Sequence, residues 1–188
     1  MKKSIIGALA LLLSFSAFAQ KWTVDKAHSK LGFTVTHLMI SEVDGNFKKF
    51  DATITSSKDD FSDAVFELTA DVASINTDME FRDKDLKSAG FFDAEKFPTL
   101  TFKSTSMTRV EGNKYKLMGN LTMKGVTKPV TLDLVLNGIG KNMRTQKPIA
   151  GFKVTGTIKR TDFGVGTSPA AIVSENVELR AVGEFGKE

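Results

Sequence analysis

An acid, a base and a hydroxyl group lie within five residues near the start of the chain, at Asp25, His28 and Ser29. These are the residue types of a hydrolase triad, in which a histidine takes the proton of a serine and a carboxylate orients the histidine. His28 and Ser29 are adjacent, and in an extended chain adjacent side chains point to opposite faces. The spacing therefore favours a turn in which Asp25 and Ser29 hydrogen-bond to nearby backbone. We expect no catalytic residue here.

Metal and nucleotide chemistry have little support in the sequence. The chain has two histidines and no cysteine, and the histidines lack the spacing of a helical zinc motif. The absence of cysteine excludes disulfides, thiolate ligands and a cysteine nucleophile. Gly138-Ile139-Gly140 and Gly164-Val165-Gly166 lack the third glycine of a dinucleotide fingerprint. We therefore expect no metal and no cofactor.

The composition is that of a globular protein with an apolar interior. The chain has 188 residues, of which 41% are hydrophobic, and one domain of this length can bury a sizeable core. Fifteen phenylalanines stand against one tyrosine and one tryptophan. Phenylalanine needs no hydrogen-bond partner, which favours an apolar interior over a surface that stacks bases. The net charge is +4 for the whole chain and +2 without the first nineteen residues, which contain Lys2 and Lys3. Because this charge is small, no nucleic-acid partner is expected.

The first nineteen residues have the organisation of a secretory signal peptide. Lys2 and Lys3 precede an apolar run over Ile5–Phe18, and Ala17-Phe18-Ala19 has the small residues that a signal peptidase accepts. We predict cleavage after Ala19, which leaves residues 20–188 as one domain in the periplasm. No later stretch approaches the roughly 18 apolar residues of a membrane span.

Beyond the predicted signal peptide, apolar and polar residues alternate with a period of two, which is typical of antiparallel strands with one buried face. The alternating stretches are Leu31–His37, Ala64–Val72, Tyr115–Met123, Val130–Leu136, Ala150–Ile158 and Val177–Phe185. Further strands are predicted at Val43–Thr55, Phe97–Ser104 and Trp22–Val24. The phase of the first of these changes near Lys48 and Lys49, which indicates a bulge.

One segment has the signals of a helix. Thr77 and Glu80 form a capping box, which predicts a helix from about Asp78 to Ala89. The strands themselves fit either a closed barrel or a sandwich. Glycines on inward faces either leave room for an apolar ligand or mark bulges and corners, and the pattern does not choose between these. Later in the chain, Arg160 and Asp162 are predicted to pair and fix the loop that follows.

A series of short motifs, in order along nearly all of residues 20–188, resembles the YceI-like family. The motifs are Asp25-x-x-His28-Ser29, Leu31–Leu38, Val43–Phe47, Arg82-Asp83-x-x-Leu86, Phe91–Ala94, Phe97-Pro98, Gly119–Val130 and Arg160-x-Asp162-Phe163-Gly164. The resemblance implies an all-β fold, an antiparallel eight-stranded extended lipocalin-like barrel with one short helix near residues 78–89. It also implies a polyisoprenoid lipid in a long apolar pore and no catalytic residues. Asp85 departs from the family, which often has histidine there.

Within such a barrel, the candidate lining residues are the large apolar side chains on inward positions. They are Phe33, Val35, Phe47, Phe66, Leu117, Leu121, Leu132, Leu134, Val154 and Leu179. The candidates for a mouth or gate are His37, Arg82, Asp83, Phe91 and Phe92. For His37 a backbone-bonded core or rim residue is the alternative, and for Arg82 and Asp83 the alternative is a solvated helix face.

The expected partner is an isoprenoid quinone or a prenyl phosphate, held for transport, storage or sensing. Transient membrane contact and a homodimer through an exposed edge strand are further expectations. Two other functions stay open at this point. One is an enzyme that acts on a prenyl lipid with His28 or His37 as base, and the other is a solid-cored β module that binds a partner.

Overall fold

The computed structural model describes residues 19–188, and nearly all of the predicted signal peptide lies outside them. Ten strands and one α-helix account for most of the described chain. The strands are β1 (Gln20–His37), β2 (Ser41–Phe47), β3 (Phe50–Ser56), β4 (Val65–Asp71), β5 (Ile75–Asn76), β6 (Thr99–Glu111), β7 (Lys114–Met123), β8 (Val126–Lys141), β9 (Pro148–Lys159) and β10 (Val173–Lys187). The helix, α1, is Glu80–Lys87. None of the helices in this part of the chain is long and apolar enough to cross a bilayer.

The strands close into a barrel. They follow the order β10-β9-β8-β7-β6-β4-β3-β1-β2-β5, every pair is antiparallel, and β10 also pairs with β1. Strands β2 and β3 both pair with β1 and together occupy one place in the ring, so eight strands enclose the interior. The predicted eight-stranded antiparallel barrel with one helix is confirmed, and the sandwich is excluded.

Two interruptions shape the wall of the barrel. Lys48 and Lys49 separate β2 from β3, where the phase of the alternation predicts a bulge, and both backbone N–H groups donate to Ser74. The predicted strands Trp22–Val24 and Leu31–His37 are parts of the single strand β1. Its register against β10 shifts after Asp25, where the intervening residues bulge outward from the pairing.

The helix is shorter than predicted and begins differently. Thr77 does not cap it, because the first helical residue is Glu80 and the capping position is Met79, which makes no side-chain bond. Both the backbone N–H and the hydroxyl of Thr77 instead donate to the carboxylate of Asp83, at 2.8 and 2.6 Å. Asp78 adopts a left-handed conformation with φ of 57°, so the chain turns sharply before the helix.

The ends of the barrel differ in how they are filled. At the end where β1 begins, which we call the closed end, aromatic rings fill the interior. They are Trp22, Phe61, Phe66, Tyr115, Phe152 and Phe185, all buried. The other end, which we call the mouth, is bordered by α1, the β1–β2 turn and the loop between β9 and β10. Between these two ends the interior of the barrel contains empty volume.

Candidate functional site

The barrel encloses two adjoining apolar chambers. The inner chamber, of about 150 Å³, is surrounded by side chains such as Phe66, Phe102 and Leu132. The outer chamber, of about 310 Å³, lies beneath the mouth. The two share the lining residues Phe33, Phe47, Leu100, Met123 and Leu179. A narrow apolar ligand that passes these five side chains reaches both chambers.

The candidate lining residues divide into nine that face a chamber and one that does not. Those that line a chamber are Phe33, Val35, Phe47, Phe66, Leu117, Leu121, Leu132, Val154 and Leu179. Leu134 lines neither chamber. It is completely buried beside Tyr115 and Val154, its partners in the neighbouring strands, where the closed end is packed solid.

Three of the inward glycines are covered by a neighbouring side chain that packs against the backbone where a Cβ atom would otherwise be. A Cβ atom built on Gly45 would lie 2.2 Å from the ring of Phe33, and one on Gly119 would lie 2.5 Å from the ring of Phe102. A Cβ atom on Gly156 would lie 2.5 Å from Leu132. Large side chains thus lie flat against the wall, which leaves the centre of the barrel open. At these three glycines the space is therefore filled by a neighbouring side chain and is not left for a ligand.

Among the mouth candidates, Arg82 lines the outer chamber and Asp83 does not. Arg82 donates from Nε to the Thr77 hydroxyl at 2.8 Å and from Nη2 to the Thr77 carbonyl at 2.7 Å. Asp83 is buried behind Thr77. Burial alone would raise the pKa of Asp83, but the hydrogen bonds from Thr77 outweigh it and hold that pKa below its usual value. Asp83 therefore positions Thr77, which in turn orients Arg82.

Two phenylalanines stand over the outer chamber. The ring of Phe92 meets the ring of Phe47 edge-on, with the centroids 6.0 Å apart. Phe91 lies against Gly166, where a Cβ atom would be 2.7 Å from the ring. Both side chains are half-buried and line the chamber. This placement between the apolar interior and the outside is that of a cap.

The loop between β9 and β10 is organised by Arg160. This buried side chain lines the outer chamber and makes five hydrogen bonds, all to backbone carbonyl groups, at Val165, Gly166, Ser168, Val173 and Ser174. The predicted pair with Asp162 is therefore wrong. A guanidinium has five N–H donors, so backbone carbonyls take up its entire donor capacity and fix the course of the loop.

Several mouth residues were not assigned from the sequence. Asp85, Leu86, Thr77, Ser168 and Val173 line the outer chamber together with His37. Asp85 was singled out in the sequence only as a departure from the family pattern, and its spacing of three residues from Arg82 places both on one side of a helix. The loop residues carry no comparable signal.

His28 lies outside the site. It is exposed on the bulge of β1, and its Nδ1 atom lies 2.9 Å from a carboxylate oxygen of Asp25. That hydrogen bond raises the pKa of His28. Asp25, His28 and Glu184 hold potential ligand atoms within 4.8 Å of one another, on the outer wall of the barrel. Ser29 accepts a hydrogen bond from the backbone of Glu184 and does not face His28 as a nucleophile.

A closed antiparallel barrel whose apolar chambers reach one open end defines the lipocalin-like class of ligand-binding barrels. Residues 22–185 match the YceI-like domain, and the chain belongs to the YceI-like family. A UPF0312 protein of Staphylococcus aureus strain N315 is 37% identical over 169 residues, which cover 87% of this chain and 96% of that protein.

Solved structures agree with this assignment. BcnA of Burkholderia cenocepacia has 29% identity and a TM-score of 0.78, with 86% of this chain and 98% of that chain covered. A YceI protein of Campylobacter jejuni has 35% identity and a TM-score of 0.74, with 88% and 96% covered. A domain from Saccharophagus degradans described as polyisoprenoid-binding has 14% identity and a TM-score of 0.67, with 89% and 98% covered, and is alike in fold.

Proposed function

We propose that this protein binds a polyisoprenoid lipid, with the prenyl tail in the two chambers and the headgroup at the mouth. The observation that carries the proposal is the apolar interior, which opens beneath a mouth that holds several polar side chains. The Saccharophagus degradans domain, described as polyisoprenoid-binding, has the same fold and supports this choice of ligand. We further propose a periplasmic role in transport, storage or sensing, after removal of residues 1–19.

The chamber volumes set the length of tail that fits without rearrangement. An apolar cavity of about 150 Å³ holds one benzene molecule. By that measure, chambers of about 150 and 310 Å³ hold on the order of 18 carbons, or three to four isoprene units. A longer tail extends past the mouth or displaces rings such as Phe33, Phe47 and Phe92. The driving force is burial of apolar surface, about 25 cal/mol per Å² before ordering costs.

The headgroup meets three polar side chains of different charge. Arg82 has two of its five N–H donors on Thr77, so within the described residues three stay available on a side chain that lines the chamber. Asp85 adds a negative charge and His37 a group that both donates and accepts. We propose that these residues contact the polar headgroup and tune the choice between a quinone and a prenyl phosphate.

We propose that the protein binds its lipid without catalysing a reaction on it. His28 is outside both chambers, and His37 lines the outer chamber with no carboxylate bonded to its ring in the described residues. A histidine that acts as a base is usually oriented by a second group. Neither histidine has both the location and the partner that catalysis on a prenyl lipid requires, and we therefore favour a carrier over an enzyme.

The decisive experiment is native mass spectrometry of the protein purified from its own source, followed by solvent extraction. We expect a discrete added mass that extracts as a prenyl lipid. A matched pair of variants tests the location: Ala52→Phe adds a ring to the inner chamber, whereas Thr53→Phe adds one to the outer face of the same strand. Loss of the added mass in Ala52→Phe alone supports the proposal. A protein that stays bare even with added quinone or prenyl phosphate contradicts it.

A further inference from the structure

We propose that the tip of the mouth docks on a lipid bilayer, so that a prenyl tail passes between membrane and barrel without crossing water. The docking surface, which we call the mouth rim, consists of Leu38–Ile40 in the β1–β2 turn and Pro169–Ile172 in the β9–β10 loop. This inference rests on the proposed function and adds the surface through which the ligand is exchanged.

The mouth rim presents large apolar side chains to solvent. Met39 is 75% exposed and Ile40 is 84% exposed, and Leu38 and Ile172 are also exposed. Leu38 and Met39 both adopt left-handed backbone conformations, with φ of 50° and 61°, which is uncommon for residues of this type. Conformations of this kind persist where surrounding structure imposes them. The turn thus holds these side chains away from the core, where apolar residues would otherwise pack.

The two loops form one surface. The backbone N–H of Leu38 donates to the carbonyl of Ile172 at 2.9 Å. Ile172 and Val173 in turn both donate to the carbonyl of Pro169, which folds the loop into a compact turn. Arg160 fixes the residues on either side of that turn through its five carbonyl bonds. The apolar tips therefore project together.

The charge distribution separates the mouth rim from the closed end. Residues 36–41 contain no Lys, Arg, Asp or Glu, and the same is true of residues 163–174. At the closed end, the loop after β3 has Lys58, Asp59 and Asp60, and the loop between β8 and β9 has Arg144 and Lys147. Charges resist entry into a bilayer, whereas apolar side chains at its interface are stabilised in proportion to buried area. Of these loops in the described part of the chain, those of the mouth rim meet that condition and the two closed-end loops do not.

The position of the mouth rim favours a membrane over a second copy of the chain. His37 and Val173, which adjoin the rim in sequence, line the outer chamber, so the rim borders the opening. Stable protein interfaces use about 20–30 residues on each side, and the mouth rim has seven. A shallow apolar tip of this size is sufficient for reversible contact with lipid.

The test measures uptake of a prenyl quinone from vesicles of phosphatidylethanolamine and phosphatidylglycerol, as quinone recovered with the protein after the vesicles are sedimented. The double variant Met39→Ser/Ile40→Ser is compared with Met143→Ser, which changes a methionine that is 91% exposed at the closed end. We expect the double variant to take up quinone at least about tenfold more slowly and Met143→Ser to be unchanged. Equilibrium affinity for quinone added from solution should be the same in all three proteins.

A second measurement reports contact directly. The chain has no cysteine, so Ile40→Cys and Met143→Cys can each carry a polarity-sensitive fluorophore at a single site. We expect a blue shift with vesicles at position 40 and none at position 143. Uptake by the double variant at the same rate as the unmodified protein, or no blue shift at position 40, overturns the inference. A concentration-dependent dimer that the double variant abolishes also overturns it. Failure of every protein to bind either quinone or prenyl phosphate from solution would instead overturn the proposed function.

Discussion

The closed end and the mouth of this barrel use the same residue type in opposite ways. At the closed end, the ring of Phe152 contacts those of Phe61, Phe66 and Phe185, with centroids 5.2 to 5.8 Å apart, and Phe61 contacts Trp22 at 5.0 Å. All these rings are buried. At the mouth, by contrast, Phe33, Phe91 and Phe92 are half-buried and face empty volume. Phenylalanine forms a buried cluster at one end, where Phe66, Phe152 and Phe185 also line the inner chamber, and is half-exposed around the outer chamber at the other end.

Polar groups reinforce the same difference. At the closed end, Asp63 accepts hydrogen bonds from the hydroxyls of Ser56 and Ser57, which hold its pKa far below the usual value and close the loop that carries Phe61. At the mouth, Arg160 and Asp83 hold backbone and Thr77 in place, yet the chamber between them stays open. Rigid supports can therefore surround either a packed cluster of rings or a cavity, and the side chains between them decide which forms.

The largest expected loss of stability comes from removing Phe152, the ring at the centre of the aromatic cluster at the closed end. Phe152→Ala should lower the free energy of unfolding by about 3–5 kcal/mol, because it leaves a cavity among the three buried rings of Phe61, Phe66 and Phe185. Phe92→Ala at the mouth should cost about 1 kcal/mol or less, since its ring is half-buried. Urea unfolding measures both. Equal losses would mean that the two ends are packed alike, contrary to the comparison.

A smaller loss is expected from Arg160→Met. The variant leaves five carbonyl groups without their donor, and we expect a loss of about 2–4 kcal/mol, because some of these carbonyls turn toward water. Hydrogen exchange should accelerate in residues 164–174 and stay slow in strands β3 and β9 near the closed end. Uniform acceleration along the chain would show that Arg160 supports the whole barrel rather than the mouth.

Acid should weaken both ends through two aspartates. The pKa of Asp63 and that of Asp83 are both lowered from 3.8, so each carboxylate stabilises the folded state above that value. This stability is lost as the pH falls through the lowered folded-state pKa values. Asp63→Asn and Asp83→Asn should each unfold with a weaker pH dependence below about pH 4. An unchanged acid limb in urea titrations of Asp63→Asn would contradict the assignment.

The smallest effect is expected at Asp85. Asp85→Asn removes a negative charge from the outer chamber. The affinity of the variant for a prenyl phosphate, relative to its affinity for a prenyl quinone, should rise about two- to fivefold, which is the size of an exposed charge interaction. Competition binding measures the ratio. Asp133→Asn, on the outer wall in an ion pair with Lys116, is the matched control and should leave the ratio unchanged. A shift of equal size in the control would mean that only net charge matters.

Much of the fold could be predicted because strand alternation is a local property. A period of two places Phe33, Val154 and Leu179 on the inward face whatever the strand partners are. The interruption at Lys48 and Lys49 was also predictable, since a phase change is visible in the sequence, but it is a break between β2 and β3 rather than a bulge within one strand. The resemblance to the YceI-like family supplied barrel closure, which alternation alone leaves open.

Other features depend on residues that are distant in the sequence. Arg160 binds carbonyls up to 14 residues away, and no pattern identifies a carbonyl as a partner. Thr77 bonds to Asp83 rather than capping α1, because Asp83 is buried where the helix meets the barrel. Leu134 and Leu132 share one inward face of β8, yet only Leu132 lines a chamber. Their difference is one of depth along the barrel axis.

Side-chain direction in a strand follows from the backbone, so the alternation in the sequence is enough to show which side chains face inward. The sequence also shows that the interior is apolar, that the chain has no cysteine and that its two histidines are not clustered in sequence. Which inward residues pack into a solid cluster, which surround a cavity, and which arginine donors are already used became visible from the folded barrel alone. The reason is physical: volume and hydrogen-bond capacity are shared among neighbours brought together by closure of the barrel, and neither is a property of one residue.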